Sequence, residues 1–278
     1  MGFVSKHKER DSELPIQRNK LLQAIENDLL IDDHVLGFFY GGSIANDHLD
    51  NYSDIDLRII VKPEKMKEYI TNKNNRAGNW GNVLYFEDSH PSSIYVVAHY
   101  DCFVKVDIFY YTPDYIQPSV WLQNIKIMKD NRGMLANVLE QSMKLAYKPS
   151  VKEFEVWRTK FFALLHEAYR RMMRDEYYYA LDCIDKMRLS IVSGWCMIAG
   201  IQPNSFGDWA KYEGERSRLK DWQQDLLESW DCGRNKVEII DVVRSIVPEF
   251  KKIHYSLCRR LEIEEDSEQL NRIIDMVL

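Results

Sequence analysis

The sequence predicts an α+β protein in which a small mixed β-sheet domain, residues 1–120, is followed by an α-helical bundle domain, residues 121–278. Three observations lead there. Between Phe38 and Tyr110 apolar residues recur at every second position in short runs, the period of strands whose successive side chains face opposite sides. From about Trp121 the apolar spacing lengthens to three and four residues, the period of helices. A chain of 278 residues is also long enough for two cores at about 100 to 200 residues per domain.

Taken in order, Met1 to Pro15 is polar and reads as a frayed start, with a short helix start as the alternative. Ile16 to Leu30 reads as an amphipathic helix with Ile16, Leu21, Leu22, Ile25 and Leu29 on one side. Phe38-Phe39-Tyr40 is a strand running into Gly41-Gly42; Ile44 to Leu49 reads as a brief helix and Asp50-Asn51-Tyr52-Ser53 as a turn. Asp54 to Val61 alternates as a strand. Beyond Pro63, Glu64 to Thr71 reads as helix and the Asn- and Gly-rich Asn72 to Gly81 as loop. Val83 to Phe86 is a short strand, and Ile94 to His99 with Phe103 to Tyr110 forms a hairpin.

In the second half, Lys126 to Asp130 and Met134 to Tyr147 join the domains. Ser150 with Glu153 three residues on forms a capping box for a long helix whose stripe is Phe154, Trp157, Phe161, Leu164, Leu165 and Ala168. Glu176 to Ala199 stops at Gly200. Leu219 to Trp230 and Val237 to Ile246 are further helices, and Pro248 separates the last from Phe250 to Leu261.

Net charge of -6 and a pI near 5.7 argue against a nucleic-acid partner, which needs broad phosphate contacts, and suit a cationic small substrate. Five cysteines without a Cys-x-x-Cys pair indicate reduced thiols in a cytoplasmic protein, with neither a disulfide framework nor a zinc site. No apolar run approaches the roughly 18 residues of a membrane span, and the charged N-terminus is not signal-like.

Chemistry concentrates at Gly41-Gly42-Ser43 and, after ten intervening residues, Asp54-Ile55-Asp56. On a strand, Ile55, Leu57, Ile59 and Val61 share the buried face while Asp54 and Asp56 stand on the other. Two carboxylates so placed repel unless a cation sits between them, and a hard divalent ion such as Mg2+ resolves the conflict. Gly41 and Gly42 allow a sharp turn and close approach to a ligand, their neighbouring N–H groups can meet phosphate oxygens, and Ser43 adds a hydroxyl donor. No Gly-Lys-Ser/Thr follows, so this is not a P-loop.

This pattern resembles the signature of the DNA polymerase β-like nucleotidyltransferase superfamily, in which Gly-Ser precedes Asp-x-Asp by about ten residues. The resemblance implies a third carboxylate on a later strand, here Asp107 within Val104 to Tyr110. Together with the helical second half, Trp80-Gly81-Asn82, Arg174-Asp175-Glu176 and Ala180-Leu181-Asp182 make the chain most similar to streptomycin-type 6-adenylyltransferases. The family's metal-pair strand often reads Asp-Tyr-Asp or Asp-Leu-Asp, where this chain has Asp-Ile-Asp.

The resemblance implies a nucleotidyltransferase domain at 1–120 and a substrate-binding helical domain at 121–278. It implies Mg2+ held by Asp54, Asp56 and Asp107, and ATP or another nucleoside triphosphate as co-substrate at Gly41, Gly42 and Ser43. The acceptor would be a hydroxyl of a small molecule such as an aminoglycoside. Asp107 either completes the metal site or accepts the hydroxyl proton; Glu167, Asp175 and Glu176 are alternative bases. Tyr177-Tyr178-Tyr179 with Trp157, and Arg170, Arg171 and Arg174, read either as ligand groups or as core and solvated surface. Two alternatives stay open: a macromolecular acceptor, and a non-catalytic nucleotide-binding relative of the toxin-antitoxin kind.

Overall fold

Alternating apolar residues build six strands: β1 (Val35–Tyr40), β2 (Ile55–Val61), β3 (Val83–Glu87), β4 (Tyr95–Tyr100), β5 (Lys105–Tyr111) and β6 (Lys126–Asp130). They form one mixed sheet in the order β3-β4-β5-β2-β1-β6, with β2 and β5 parallel and the other pairings antiparallel. This computed structural model describes residues 5–46 and 48–278. It divides into two compact units, one ending at Leu145 and the other running Ala146–Leu278.

One sheet face is covered by α1 (Lys8–Ile31), α3 (Met66–Thr71) and α4 (Lys73–Gly78), and α2 (Gly42–Ala45) follows β1. Leu14, Leu21, Ile25 and Leu29 of α1 are buried with Phe38, Leu57, Val96 and Ile108 in the principal core of this unit. The other face is covered beside β1 and β2, where Phe39 and Ile60 pack with Leu135 and Val138 of α5 (Met134–Ser142).

The structure corrects several boundaries read from sequence. The helix begins at Lys8 rather than Ile16, and the part of the frayed reading that concerns residues 1–4 lies outside the described residues. Its buried stripe is Asp11, Leu14, Arg18, Leu21, Ile25 and Leu29, with Ile16 exposed. The brief helix expected at Ile44 to Leu49 is Gly42–Ala45; Asp47 lies outside the described residues. The Asn-rich stretch read as loop contains α4 because its cations are anchored. Lys73 reaches Asp88, and Arg76 forks onto Asp28 while also meeting Asp32. Lys126 to Asp130, read with the helical half, is an edge strand: Ile127 packs with the α5 side of the sheet and Met128 with the α1 side.

The second unit contains α6 (Val151–Met173), α7 (Tyr177–Ala199), α8 (Asp221–Ser229), α9 (Lys236–Leu261) and α10 (Ser267–Asp275). The expected capping box opens α6: Glu153 N–H donates to Ser150 Oγ, and Ser150 N–H donates to the Glu153 carboxylate. Phe161 and Phe250 stack with ring centroids 3.8 Å apart. Gly194 lets α7 approach closely, since a Cβ there would lie 2.5 Å from Ile253 and 2.9 Å from Trp157. Pro248 does not end a helix; it lies inside α9, whose buried stripe from Ile239 to Leu257 runs through it. Packing of that stripe offsets the missing backbone hydrogen bond. The last helix, α10, has no counterpart in the periodicity reading, although Asp266 caps it by accepting from Gln269 N–H.

Candidate active site

The turn before β2 is stapled by an arginine from α1. The buried Arg18 Nη1 donates to the carbonyls of Asp50 at 2.9 Å and Ser53 at 3.1 Å. Ser53 Oγ meanwhile accepts from Asp50 N–H and donates to Asp50 Oδ1. These bonds fix the chain immediately before Asp54. Nothing in the local sequence of the turn announces Arg18, which lies more than thirty residues upstream; its mark was a charge within an apolar helical stripe.

The parallel β2–β5 register sets Asp56 opposite Asp107. Both side chains point to the face opposite the buried row Ile55, Leu57, Val106 and Ile108. Gly41 N–H donates to Asp56 O at 2.9 Å, carrying the β1 end alongside β2. Gly42 has φ +57°, and a Cβ there would lie 2.0 Å from Asp56 Oδ2. Only glycine lets this loop wrap the carboxylate. Ser43 is buried in α2, and His48 is exposed, its N–H donating to Ser43 O.

Two cations answer the three carboxylates. Lys105 Nζ lies 3.0 Å from Asp54 Oδ2 and 3.2 Å from Asp107 Oδ2. Arg58 lies 3.6 Å from Asp56 Oδ1 and 4.1 Å above the Phe109 ring. Burial raises the Asp107 carboxyl above the usual range; Lys105 pulls it back, and Asp54 and Asp56 push it further up. For Lys105, burial acts downward but is outweighed by Asp54 and Asp107, so the ammonium is held charged.

As the side chains stand, no three His, Cys, Asp or Glu among the described residues converge to hold a metal ion. The donor chemistry nevertheless fits a hard divalent cation: carboxylates on neighbouring strands, a loop shaped around one of them, and Asp107 Oδ1 buried with no hydrogen-bond partner. An orphaned buried carboxylate oxygen is costly and marks a place for a ligand.

The other sequence candidates belong to the helical unit. Glu167 and Glu176 are ion-paired with Arg171, and Asp175 with Lys236. Arg170 joins Glu167. Trp157 is core, donating to Ser190 O and stacking on Phe250. Tyr178 and Tyr179 are exposed beneath Arg234 and Arg171. The helical unit also has a cleft of about 870 Å³ lined by Tyr147, Trp157 and Phe206 with Lys152, Glu153 and Lys160, a charge balance that singles out no cationic ligand.

A mixed sheet carrying paired carboxylates beside a glycine loop, followed by a helical unit, is the arrangement that the resemblance to nucleotidyltransferases leads one to expect. The chain belongs to the streptomycin adenylyltransferase family, whose family model matches residues 17–275, and by that membership it is an adenylyltransferase. Among solved structures it is similar to an aminoglycoside 6-adenyltransferase from Bacillus subtilis, at 12% identity over 94% of this chain and 97% of that one, TM-score 0.45. It is also similar to a nucleotidyltransferase-like protein from Exiguobacterium sibiricum 255-15, at 13% identity over 87% and 77% of the two chains, TM-score 0.43. Comparison with curated proteins gives no match. Among the described residues no helix is long and apolar enough to cross a membrane.

Proposed function

We propose that the protein transfers AMP from ATP to a hydroxyl of a small cationic acceptor of the aminoglycoside class, streptomycin being the first to try, and does so in the cytoplasm. The observation that carries this reading is the register pairing of Asp56 with Asp107 directly beside the Gly42 loop. In the family to which the chain belongs, a nucleotide is the co-substrate.

Mg2+ would be held by Asp54, Asp56 and Asp107, and when bound would neutralise charge on the triphosphate oxygens. The chain's own groups do the rest. Gly41 and Gly42 bring backbone close to the phosphates, Ser43 supplies a hydroxyl donor, and the carboxylate face orients the α-phosphorus for in-line attack. The acceptor oxygen bonds to that phosphorus, the bond to the bridging oxygen of the departing pyrophosphate breaks, and the hydroxyl proton passes to a carboxylate. Asp107 takes that proton in the alternative in which Asp54 and Asp56 alone hold the metal, because its buried Oδ1 has no partner. The sheet unit would serve catalysis and the helical unit the acceptor.

Mass spectrometry of streptomycin incubated with ATP, Mg2+ and the protein tests this reading. An AMP adduct is the expected product. Labelled AMP on protein or RNA, with none on any aminoglycoside, would move the acceptor to the macromolecular class.

A further inference from the structure

Lys105 has no part in the scheme above, yet its ammonium bridges two of the three carboxylates, 3.0 Å from Asp54 Oδ2 and 3.2 Å from Asp107 Oδ2. It stands two residues before Asp107 on β5, so both side chains project from the same face. Asp54 comes from the chain entering β2. The bridge therefore ties β5 to the chain entering β2.

We propose that Lys105 is a positioning residue, a resident counter-ion that holds Asp54 and Asp107 in reach of one another until a divalent cation displaces it from the bridge. The proposal rests on the metal-nucleotide reading of the site. Three neighbouring carboxylates repel one another, and a cation must sit among them for the face to stay assembled. Arg58 answers Asp56 but is engaged with the Phe109 ring, which leaves Asp54 and Asp107 to Lys105.

Lysine suits a counter-ion that has to leave. Its charge is compact, its stem flexible, and the side chain is 36% exposed, so it can swing into water without opening a cavity. With the ammonium in the bridge, the described acidic groups do not converge on a common point. Divalent binding thus competes with an internal cation and is weaker than the bare carboxylates would give.

The test is Mn2+ binding to the full-length protein without nucleotide, followed by the loss of the free-ion electron paramagnetic resonance signal in wild type, Lys105→Met, Lys105→Arg and Asp56→Asn. Lys105→Met is expected to bind Mn2+ roughly tenfold tighter than wild type. Without metal it melts below wild type, and Mn2+ raises its melting temperature more. Lys105→Arg keeps the bridge charge and is expected to bind no tighter than wild type. Lys105→Gln carries the same expectation as Lys105→Met should the latter fail to fold. Binding in the neutral variants no tighter than in wild type, undetectable binding in all of them included, overturns the counter-ion role. Asp56→Asn separates the two ideas: if it binds Mn2+ as wild type does, the metal reading itself fails and this proposal falls with it.

Discussion

Asp56 and Asp107 are register partners across β2 and β5, the parallel pair at the centre of an otherwise antiparallel sheet. Neighbouring strands run about 4.8 Å apart, so two carboxylates distant in sequence share one small patch. Burial raises Asp107, and the neighbouring acids add to that rise. The patch is electrostatically strained, and substitutions that relieve or disturb it change stability and turnover differently.

Asp107→Asn separates stability from function. A carboxyl whose folded pKa is raised above its unfolded value destabilises the folded state when ionised, and the penalty is present at neutral pH and fades as pH falls. At pH 7 the Asn variant is expected to melt no lower than wild type while turnover drops by roughly a hundredfold or more. A clear fall in melting temperature with turnover retained would count against the assignment.

Gly42→Ala attacks the same patch from the loop. The added Cβ would lie 2.0 Å from Asp56 Oδ2 at a residue with φ +57°. The left-handed conformation alone costs about 1–2 kcal/mol for an L-residue. Displacing the carboxylate should cost roughly a hundredfold in turnover. Thermal melting and steady-state rates on one preparation check both parts.

Arg18→Met reports on the turn before β2. It leaves the carbonyls of Asp50 and Ser53 without their guanidinium donor, a loss of about 1–3 kcal/mol. Turnover should fall with it, since Asp54 follows the loosened turn. Chemical denaturation measures the first effect; unaltered stability would mean that water replaces the guanidinium.

His254 sets an acid limit on the helical unit. Burial lowers its pKa from 6.5 to about 4, helped by Arg158 and opposed by Glu155. The unfolded chain then binds a proton that the folded chain refuses, so this contribution is intact above pH 6.5 and is lost as pH falls toward 4. The loss is on the order of 3 kcal/mol. Melting temperature against pH should slope more steeply across that window in wild type than in His254→Leu; parallel curves would contradict it.

The strands were legible because they rest on local periodicity, and the glycine–aspartate pattern because its spacing resembles a known signature. Ile55, Leu57, Ile59 and Val61 alternate with Asp56 and Arg58, and strand geometry does the rest. Arg18 was not legible, since its carbonyl partners lie beyond the rest of α1, β1 and α2. Neither was Lys105, because a lysine among alternating aliphatic residues reads as solvated until β5 is laid beside β2. Lys126–Asp130 becomes a strand because β1 offers an edge, and α4 forms in an Asn-rich stretch because ion pairs anchor Lys73 and Arg76. Pro248 misled for the same reason: packing along α9 outweighs a local breaker.

Pyrophosphate release from ATP and Mg2+ across a panel of aminoglycosides, with Asp56→Asn as the blank, decides whether the carboxylate site transfers a nucleotidyl group. Release is expected to require one cationic acceptor and to disappear in the blank, while the variant keeps the wild-type fold by circular dichroism. Release of equal size in Asp56→Asn would contradict a catalytic role for the Asp54, Asp56 and Asp107 carboxylates.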